Sequence, residues 1–420
     1  MNGSSNFLSV LSNGTLAKSN MFNKFVYESS YCFPKDNDLT LCGWTDSTTE
    51  KYANDANFAF VPLDDLKTTT VTKLANEASG VHVYWKAVGG ATSYNIYRAV
   101  SKDSGYTLLK SGVTTANYVD TSVAGGKTYY YRVVAYRGTL KSPWPTSSKS
   151  ITYIATPSFK KIVNVVSGVH VYWNASTGAK TYSVYRSTKK DSGYQLVKSG
   201  LTATHYIDTT AKSGTTYYYK IIALKGSMKS AFSAPFKPIT YVGTPDITSR
   251  FNKGAGVQLG WNKIEGATGY AIYRKPYAGT TWTRITTIEG NKTFTWMDES
   301  VKANNGTVYK YTIRALAGSD MKTLSGCRST GRTMARLTSR TLNSATKATA
   351  TSIKCNWSTT GVCDGYEVRF MVGDTVYKTF TVGNYKTGVK TFTGLKAGQT
   401  YKIQVRSYKK VDGVGTFYSA

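Results

Sequence analysis

The chain has 420 residues, with 53 lysines and arginines against 23 aspartates and glutamates, three histidines and five cysteines. At about 100–200 residues per domain, this length allows two to four domains or a string of smaller modules. An apolar content of 40% excludes wholesale disorder. No apolar run approaches the ~18 residues of a membrane-spanning helix. Three histidines offer little to a metalloenzyme or a histidine-dependent hydrolase.

The first segment, residues 1–68, is acidic and rich in Asn and Ser. Residues 1–70 contain five lysines and eight acidic residues, whereas residues 71–420 carry a net charge of +33. This asymmetry predicts two different parts, of which the basic one meets a polyanion or an anionic surface. We interpret residues 1–68 as a small β-rich segment or the remnant of an upstream domain. The first residues show no signal-peptide pattern.

The rest of the chain is built from internal repeats. Residues 80–136 and 168–224 align without a gap at an offset of 88, with 31 identities in 57 positions. A third copy contains Val257-Gln-Leu-Gly-Trp261, and a more diverged fourth contains Ile353-Lys-Cys-Asn-Trp357. A period of about 90 residues is the size of a domain, so the pattern predicts four successive modules.

Each repeat shows the periodicity of short β-strands. Val81, Val83 and Trp85 alternate with polar residues, and Tyr129 and Tyr131 begin a second alternating run. Such alternation indicates strands with one buried face. Turn residues precede each of these runs, and no sustained helical pattern occurs. The sequence therefore predicts an all-β chain of four tandem immunoglobulin-like β-sandwiches behind the small β-rich segment.

The Trp of the second strand, the Tyr-x-Ile-Tyr-Arg of the third and the Tyr-x-Tyr of the sixth resemble the fibronectin type III module. Gly266-Ala-Thr-Gly-Tyr-Ala-Ile-Tyr-Arg274 and Thr156-Pro157 are typical of tandem copies in secreted and surface proteins of Gram-positive bacteria. The resemblance implies an extracellular or cell-surface location and the following modules: residues 69–155, 156–243, 244–337 and 338–420. The third junction, Leu337-Thr-Ser-Arg340, lacks the proline. The fourth copy ends at Phe417-Tyr-Ser-Ala420, so its last strand is missing, which predicts a fragment or a strand supplied by a partner.

Several recurrent residues are predicted to be structural. Core tryptophans recur at one position of each repeat, and tyrosines recur at the start of the sixth strand, where the tyrosine corner of such sandwiches lies. These are Trp85, Trp173, Trp261, Trp357, Tyr129, Tyr217, Tyr309 and Tyr401. Asp120 and its two equivalents are predicted to cap turns rather than bind calcium. Cys355 occupies an inward position and is predicted to be buried.

The sequence predicts no catalytic residues, no cofactor site and no metal site. His82 and His170 face outward, each alone within its module, while His205 lies elsewhere, so we interpret all three as solvated. No pattern of a nucleophile elbow, a zinc protease or a phosphate-binding loop occurs. The repeats are therefore predicted not to be an enzyme.

Basic residues beside aromatic ones form the candidate binding surface of the first two modules. They are Lys102, Tyr106, Lys110, Tyr130, Lys190, Tyr194, Lys198, Tyr218 and Lys220. Such a surface suits an anionic cell-wall polymer or a glycan, and host or surface proteins are further possible partners. Nucleic acid is disfavoured because no nucleic-acid-binding motif occurs. A soluble basic coat without a specific partner is the alternative interpretation.

The sequence thus predicts a non-catalytic spacer and adhesion region that presents an upstream domain and binds anionic wall polymer or glycan. One alternative is an accessory region of an extracellular hydrolase that degrades polysaccharide or peptidoglycan. Another is a phage virion fibre or decoration protein, for which a chain beginning at Met1 without a leader would be natural.

Overall fold

The computed structural model describes residues 65–303, 305–318 and 320–420, and earlier in the chain the backbone of residues 9–12, 15–18, 40–43, 54 and 59–62. Four short strands precede the modules: β1 (Ser9–Ser12), β2 (Thr15–Lys18), β3 (Thr40–Gly43) and β4 (Ala59–Pro62). They form one sheet of order β2-β1-β3-β4, in which only β3 and β4 are parallel. By sequence, Cys32 and Cys42 could close a short disulfide loop, but Cys32 lies outside the described residues.

Each module is a sandwich of two antiparallel sheets, which we call the three-stranded sheet and the large sheet. In the first module the three-stranded sheet contains β5 (Val71–Glu77), β6 (Gly80–Trp85) and β9 (Asn117–Asp120). The large sheet contains β7 (Ser93–Ala99), β8 (Thr107–Val113), β10 (Thr128–Arg137), β11 (Leu140–Lys141) and β12 (Lys149–Thr152). Its order is β11-β10-β7-β8, and β12 also pairs with β10. The predicted all-β sandwich is confirmed.

The second module repeats this topology. Its three-stranded sheet contains β13 (Phe159–Val165), β14 (Gly168–Trp173) and β17 (His205–Asp208). Its large sheet contains β15 (Thr181–Ser187), β16 (Gln195–Leu201), β18 (Thr216–Lys225), β19 (Met228–Lys229) and β20 (Ile239–Thr240). In both modules, alternate residues of each long strand face the core because successive side chains of a strand point to opposite faces.

The third module adds one 3-10 turn, Glu299–Val301, to the same plan. Its three-stranded sheet contains β21 (Ile247–Lys253), β22 (Gly256–Trp261) and β25 (Thr295–Asp298). Its large sheet contains β23 (Gly269–Pro276), β24 (Thr283–Glu289), β26 (Val308–Ala317), β27 (Thr323–Leu324) and β28 (Arg332–Ala335). In the part of the chain that is described, no helix combines the length and the apolarity that crossing a membrane requires.

The fourth module has one strand segment fewer in its large sheet. Its three-stranded sheet contains β29 (Leu342–Thr349), β30 (Ser352–Trp357) and β33 (Val389–Phe392). Its large sheet contains β31 (Gly365–Val372), β32 (Thr375–Val382), β34 (Lys402–Val411) and β35 (Gly415–Tyr418). Strand β35 pairs with the end of β34, as β11 pairs with the end of β10. Among the described strands, none pairs with the start of β34 as β12 pairs with the start of β10.

Adjacent modules are joined by a repeated asparagine. Asn76 donates hydrogen bonds from Nδ2 to the carbonyl of Thr152 in its own module, at 3.0 Å, and to that of Lys229 in the next, at 3.1 Å. Asn164 bridges the second and third modules, and Asn252 the third and fourth. One amide group thus ties the edge of each of the first three modules to the last hairpin of its successor.

At each of the first two junctions, a glycine of one module also contacts a glycine of the next module. A Cβ added to Gly178 would lie 2.6 Å from the Cα of Gly126, and one added to Gly266 would lie 2.1 Å from that of Gly214. Gly178 and Gly266 also have φ angles of +89° and +73°, which side chains disfavour. Backbone therefore touches backbone at these junctions, which restrains the angle between neighbouring modules.

The end of the third module is held by a fully buried arginine, which sequence analysis did not single out. Arg336 is 0% exposed and has only carbonyl oxygens as hydrogen-bond acceptors. Those acceptors belong to Lys253, Gly254, Gly256, Val301, Lys302 and Leu337. Burial lowers the pKa of the Arg336 guanidinium. A single side chain therefore binds the β21–β22 turn and the 3-10 turn to the junction that lacks the proline.

Candidate functional site

The outer face of the large sheet carries stacked cations and aromatic rings in the first module. The Arg132 guanidinium lies 4.4 Å from the ring centre of Tyr106 and 5.7 Å from that of Trp144. The Tyr106 hydroxyl donates to the carbonyl of Lys102 at 2.7 Å, which fixes the ring. Trp144 is 44% exposed, so the stack ends in an accessible indole.

The second module repeats the arrangement with different residue types. The Lys220 ammonium lies 4.4 Å from the ring centre of Tyr194 and 6.0 Å from that of Phe232. Tyr194 donates its hydroxyl to the carbonyl of Lys190 at 2.6 Å, as Tyr106 does in the first module. Phe232 is 46% exposed and corresponds to Trp144.

In the third module Trp282 precedes β24, at the position of Tyr106 and Tyr194, and Lys275 lies 5.1 Å from its ring centre. We call this set the aromatic–cation face; it comprises Tyr106, Arg132, Trp144, Tyr194, Lys220, Phe232, Lys275 and Trp282. The fourth module departs from it, because Asp374 precedes β32 there and pairs with Lys402 at 3.5 Å.

The predicted binding residues divide between this face and its edge. Tyr130 and Tyr218 are half-buried on the outer side of β10 and β18, which also carry Arg132 and Lys220. The exposed lysines at the edge lie in β8, β16 and the turns before them: Lys102, Lys110, Lys190 and Lys198. Of all these predicted residues, the structure brings Tyr194 and Lys220 into direct ring-to-cation contact.

Sequence analysis missed five members of the aromatic–cation face: Arg132, Trp144, Phe232, Lys275 and Trp282. Arg132 and Lys220 occupy the same outward position of the sixth strand, and Trp144 and Phe232 occupy the same position after the last hairpin. Conservation of chemical type between the first two repeats was the available signal. It was hidden because the residue types differ at both positions.

The recurrent aspartates lie inside the sandwich. Asp120 accepts hydrogen bonds from the Ser122 backbone at 2.9 Å, the Tyr131 hydroxyl at 2.7 Å and the Arg98 guanidinium at 2.8 Å. Asp208 and Asp298 have the corresponding arginine and tyrosine partners, Arg186, Tyr219, Arg274 and Tyr311. We call each such set the Arg–Asp–Tyr triad. The predicted turn cap is thus one part of a buried network.

These surroundings shift the pKa values of several triad residues. Burial alone would raise the pKa of Asp120, but hydrogen bonds from Ser122, Tyr131 and Arg98 outweigh it and lower that pKa. The same balance lowers the pKa of Asp208. Burial and the neighbouring carboxylate raise the pKa of Tyr131. The lowered pKa values favour the charged form of Asp120 and Asp208, which are structural groups and not available general acids.

The predicted tyrosine corners and core tryptophans take the positions expected of structural residues. The Tyr129 hydroxyl accepts a hydrogen bond from the backbone N–H of Ala124 at 2.9 Å. Tyr217 and Tyr401 accept equivalent bonds from Lys212 and Lys396. Tyr309 and the four tryptophans, Trp85, Trp173, Trp261 and Trp357, are all buried in the module cores.

The interpretation of the histidines needs a correction. His205 is not remote from His170: the Nδ1 of His205 lies 3.2 Å from the Nε2 of His170, across strands β17 and β14. Register explains the miss, because His205 lies opposite Tyr172, the outward neighbour of His170 on the same face. No group of three or more metal-ligating side chains occurs within the described residues.

The cysteines of the fourth module are buried thiols. Cys355 is fully buried, as its inward position predicts, and burial raises its pKa to about 11. Cys363 is also buried, and Cys327 of the third module is half-buried; all three are free thiols. Thiols with raised pKa values are poor nucleophiles, so Cys355 serves as a small apolar side chain.

Parts of this chain are similar to known proteins. The family described as Fibronectin type III domain matches residues 340–417. An amylopullulanase of Thermoanaerobacter thermohydrosulfuricus is 40% identical over 75 residues, which are 18% of this chain and 5% of that protein. A Fn3-like protein from Clostridium thermocellum is 33% identical, with a TM-score of 0.17, over 19% of this chain and 88% of that chain. The FN1–FN3 domains of chicken CNTN1 are 16% identical, with a TM-score of 0.24, over 63% of this chain and 95% of theirs.

Proposed function

The chain belongs to the fibronectin type III family as a tandem array of its β-sandwich modules, and on that premise we propose that it is a non-catalytic accessory region of an extracellular polysaccharide-degrading hydrolase. It spaces a catalytic domain and contacts polysaccharide through the aromatic–cation face. The observation that carries this proposal is an aromatic ring that recurs at one register in three successive modules, each time with a cation above it. The cation lies on β10 and β18 in the first two modules and on β23 in the third.

The chemistry of the aromatic–cation face suits sugar rings. An exposed indole or phenyl ring buries the apolar C–H face of a pyranose, and the partly exposed Lys220 ammonium beside Phe232 donates hydrogen bonds to its hydroxyls. Arg132 is 8% exposed and supports the rings of Tyr106 and Trp144 instead. Stacking against Arg132 and Lys220 orders the rings before any ligand arrives. Less side-chain entropy is then lost when polysaccharide binds.

The junctions make three weak sites act together. The asparagine bridges and the glycine contacts restrain neighbouring modules, so the spacing of their outer faces is limited to a narrow range. A polymer held by one module is then presented to the next at high effective concentration. Contact with a long polysaccharide gains from this arrangement without any single deep pocket.

The match to the amylopullulanase supports the accessory role. The name amylopullulanase denotes a polysaccharide hydrolase, and the matched stretch of 75 residues approaches the length of one module of this chain. A module-sized stretch shared with such an enzyme favours a hydrolase accessory region over an independent adhesin. Modules of this family are also typical of secreted and surface proteins of bacteria.

Catalysis is assigned to a domain other than these modules. A glycoside hydrolase needs two carboxyl groups that flank a bound substrate. In the first three modules, Asp120, Asp208 and Asp298 are at most 1% exposed and bound by arginine and tyrosine. They cannot reach a sugar without unfolding the sandwich around them.

Anionic wall polymer is the second candidate ligand, and the charge of residues 71–420 favours it. A net charge of +33 attracts polyanions that come within the Debye length, the distance beyond which salt screens the charge. This attraction requires no particular aromatic ring. Binding of a neutral polysaccharide requires the rings and does not depend on the salt concentration. The two ligands therefore differ in their dependence on ring and salt.

We would measure binding of the full chain to pullulan, a neutral polysaccharide, and to Gram-positive cell walls with and without their anionic polymers. The variant Trp144→Ala/Phe232→Ala removes the two exposed rings. The matched control is Tyr385→Ala, which removes a ring beside Lys386 in the fourth module, outside the aromatic–cation face. We expect the double variant to bind pullulan at least about fivefold more weakly and the control to bind it unchanged.

Pullulan binding that the double variant retains in full would overturn the proposal. Binding that is confined to unstripped walls and falls steeply between about 50 and 300 mM salt would favour the anionic ligand instead.

A further inference from the structure

The outer side of the three-stranded sheet in the second module carries two adjacent imidazoles. His170 lies on β14 and His205 on the neighbouring strand β17, with 3.2 Å between Nε2 of the first and Nδ1 of the second. The Tyr172 ring stacks on that of His170 at 3.9 Å between centres. Two nitrogens that can each bind a metal thus face one point at the surface.

The separation of these nitrogens is the one that a shared metal ion needs. Zinc binds imidazole nitrogen at about 2.0–2.1 Å, so two nitrogens at a tetrahedral angle lie about 3.3–3.4 Å apart. The observed 3.2 Å requires only a small adjustment of two partly exposed side chains. Water molecules can complete the coordination because the site opens to solvent.

The remaining nitrogen of His170 has the partner that a metal-bound imidazole needs. Its Nδ1 lies 2.8 Å from the Tyr172 hydroxyl, which can accept the Nδ1 proton and leave Nε2 free to bind a metal. Metal-ligating histidines almost always donate their second N–H in this way. Burial lowers the pKa of His170, and the nearby His205 and Lys161 lower it further.

The other modules show which part of this arrangement is special. In the first module His82 has Asn117 as its cross-strand neighbour and pairs with Glu77 at 2.7 Å. In the third module the two histidine positions hold Gln258 and Thr295. The fold therefore does not need the second histidine, and a paired imidazole occurs in the second module alone among the described residues.

We propose that His170 and His205 form a two-ligand site for a divalent transition-metal ion that prefers imidazole, such as zinc or nickel. The site lies on the three-stranded sheet, on the opposite side of the sandwich from the aromatic–cation face. It is independent of polysaccharide binding. Metal and protons compete for the same nitrogens, so affinity falls as the pH drops below the ordinary pKa of histidine.

The test is a titration of the full chain with zinc chloride at neutral pH, followed by the imidazole proton resonances. The chain has only three histidines, so each signal can be assigned. We expect the signals of His170 and His205 to shift together and that of His82 to stay in place. The variant His205→Asn should bind zinc roughly tenfold more weakly or worse, because one of two protein ligands is lost.

The other modules show that the fold accepts the residues introduced by these variants. His205→Asn introduces the residue of the first module, and His170→Gln introduces that of the third, so both should fold. His82→Gln is the matched control and should leave zinc affinity unchanged. Equal affinity of His205→Asn and the unaltered chain, an equal shift of His82, or no saturable binding up to about 1 mM zinc would each overturn the proposal.

Discussion

The first three modules and the fourth fill the same site in the sandwich with opposite chemistry. In the second module the site holds the triad of Arg186, Asp208 and Tyr219. In the fourth module the pairing registers place Phe370, Phe392 and Ile403 at the corresponding positions. Phe370 and Phe392 pack edge to face with ring centres 5.5 Å apart. One fold therefore accepts either a buried ion pair or an apolar cluster there.

This difference indicates that the fold does not need the charges of the triad for its stability. Burying a carboxylate and a guanidinium costs desolvation energy that their attraction barely offsets, whereas apolar residues of similar volume carry no such cost. The fourth module shows that the fold forms without the charges. The triad instead makes its three members depend on one another, because removing one leaves the others buried and unpaired.

The largest expected effect comes from removing the carboxylate alone. We expect Asp208→Ala to lower the free energy of unfolding of the second module by about 3–5 kcal/mol, because Arg186 and Tyr219 lose their buried partner. Native-state hydrogen exchange of the full chain, read by mass spectrometry, measures this module by module. Asp191→Ala, at an exposed loop of the same module, is the control and should change little. A loss below about 1 kcal/mol would contradict the dependence argued here.

Replacing the whole triad should cost far less than removing one member. The variant Arg186→Phe/Asp208→Phe/Tyr219→Ile gives the second module the residues of the fourth. We expect its stability to lie within about 2 kcal/mol of the unaltered module, or above it, because no buried polar group is left unpaired. The same exchange measurement applies, and a loss as large as that of Asp208→Ala would show that the triad is stabilising in itself.

Acid should separate the two kinds of module. A carboxylate with a lowered pKa in the folded state contributes stability above its unfolded pKa of about 3.9 and loses it as the pH falls towards the folded value. Asp120 and Asp208 behave in this way, and Phe392 has nothing to protonate. We expect brief digestion with pepsin, between about pH 2 and pH 5, to cleave the second module before the fourth as the pH falls. In the triple variant, this early cleavage of the second module should disappear.

Much of the fold could be predicted from the sequence, because strand alternation is local and the repeats show it four times. The position of Asp120 in a turn was also predictable. Its partners were not, since Arg98 lies 22 residues and Tyr131 11 residues away, and only strand register brings them together. The junction asparagines recur at an offset of 88, but each contacts the last hairpin of the next module. A repeat in sequence does not reveal such a contact between modules.

The smallest expected effect tests whether the tyrosine corner is independent of the triad. Tyr217 accepts a backbone hydrogen bond at 3.0 Å beside a triad, and Tyr401 accepts one at 2.8 Å in the module that has none. Tyr→Phe at either position removes the hydroxyl and keeps the ring, including the stacking of Arg186 on Tyr217. Each change should cost about 1 kcal/mol, the net contribution of one hydrogen bond, and hydrogen exchange should show equal losses in the two modules. A clearly larger loss for Tyr217→Phe would mean that the corner and the triad act as one network, since Arg186 touches both.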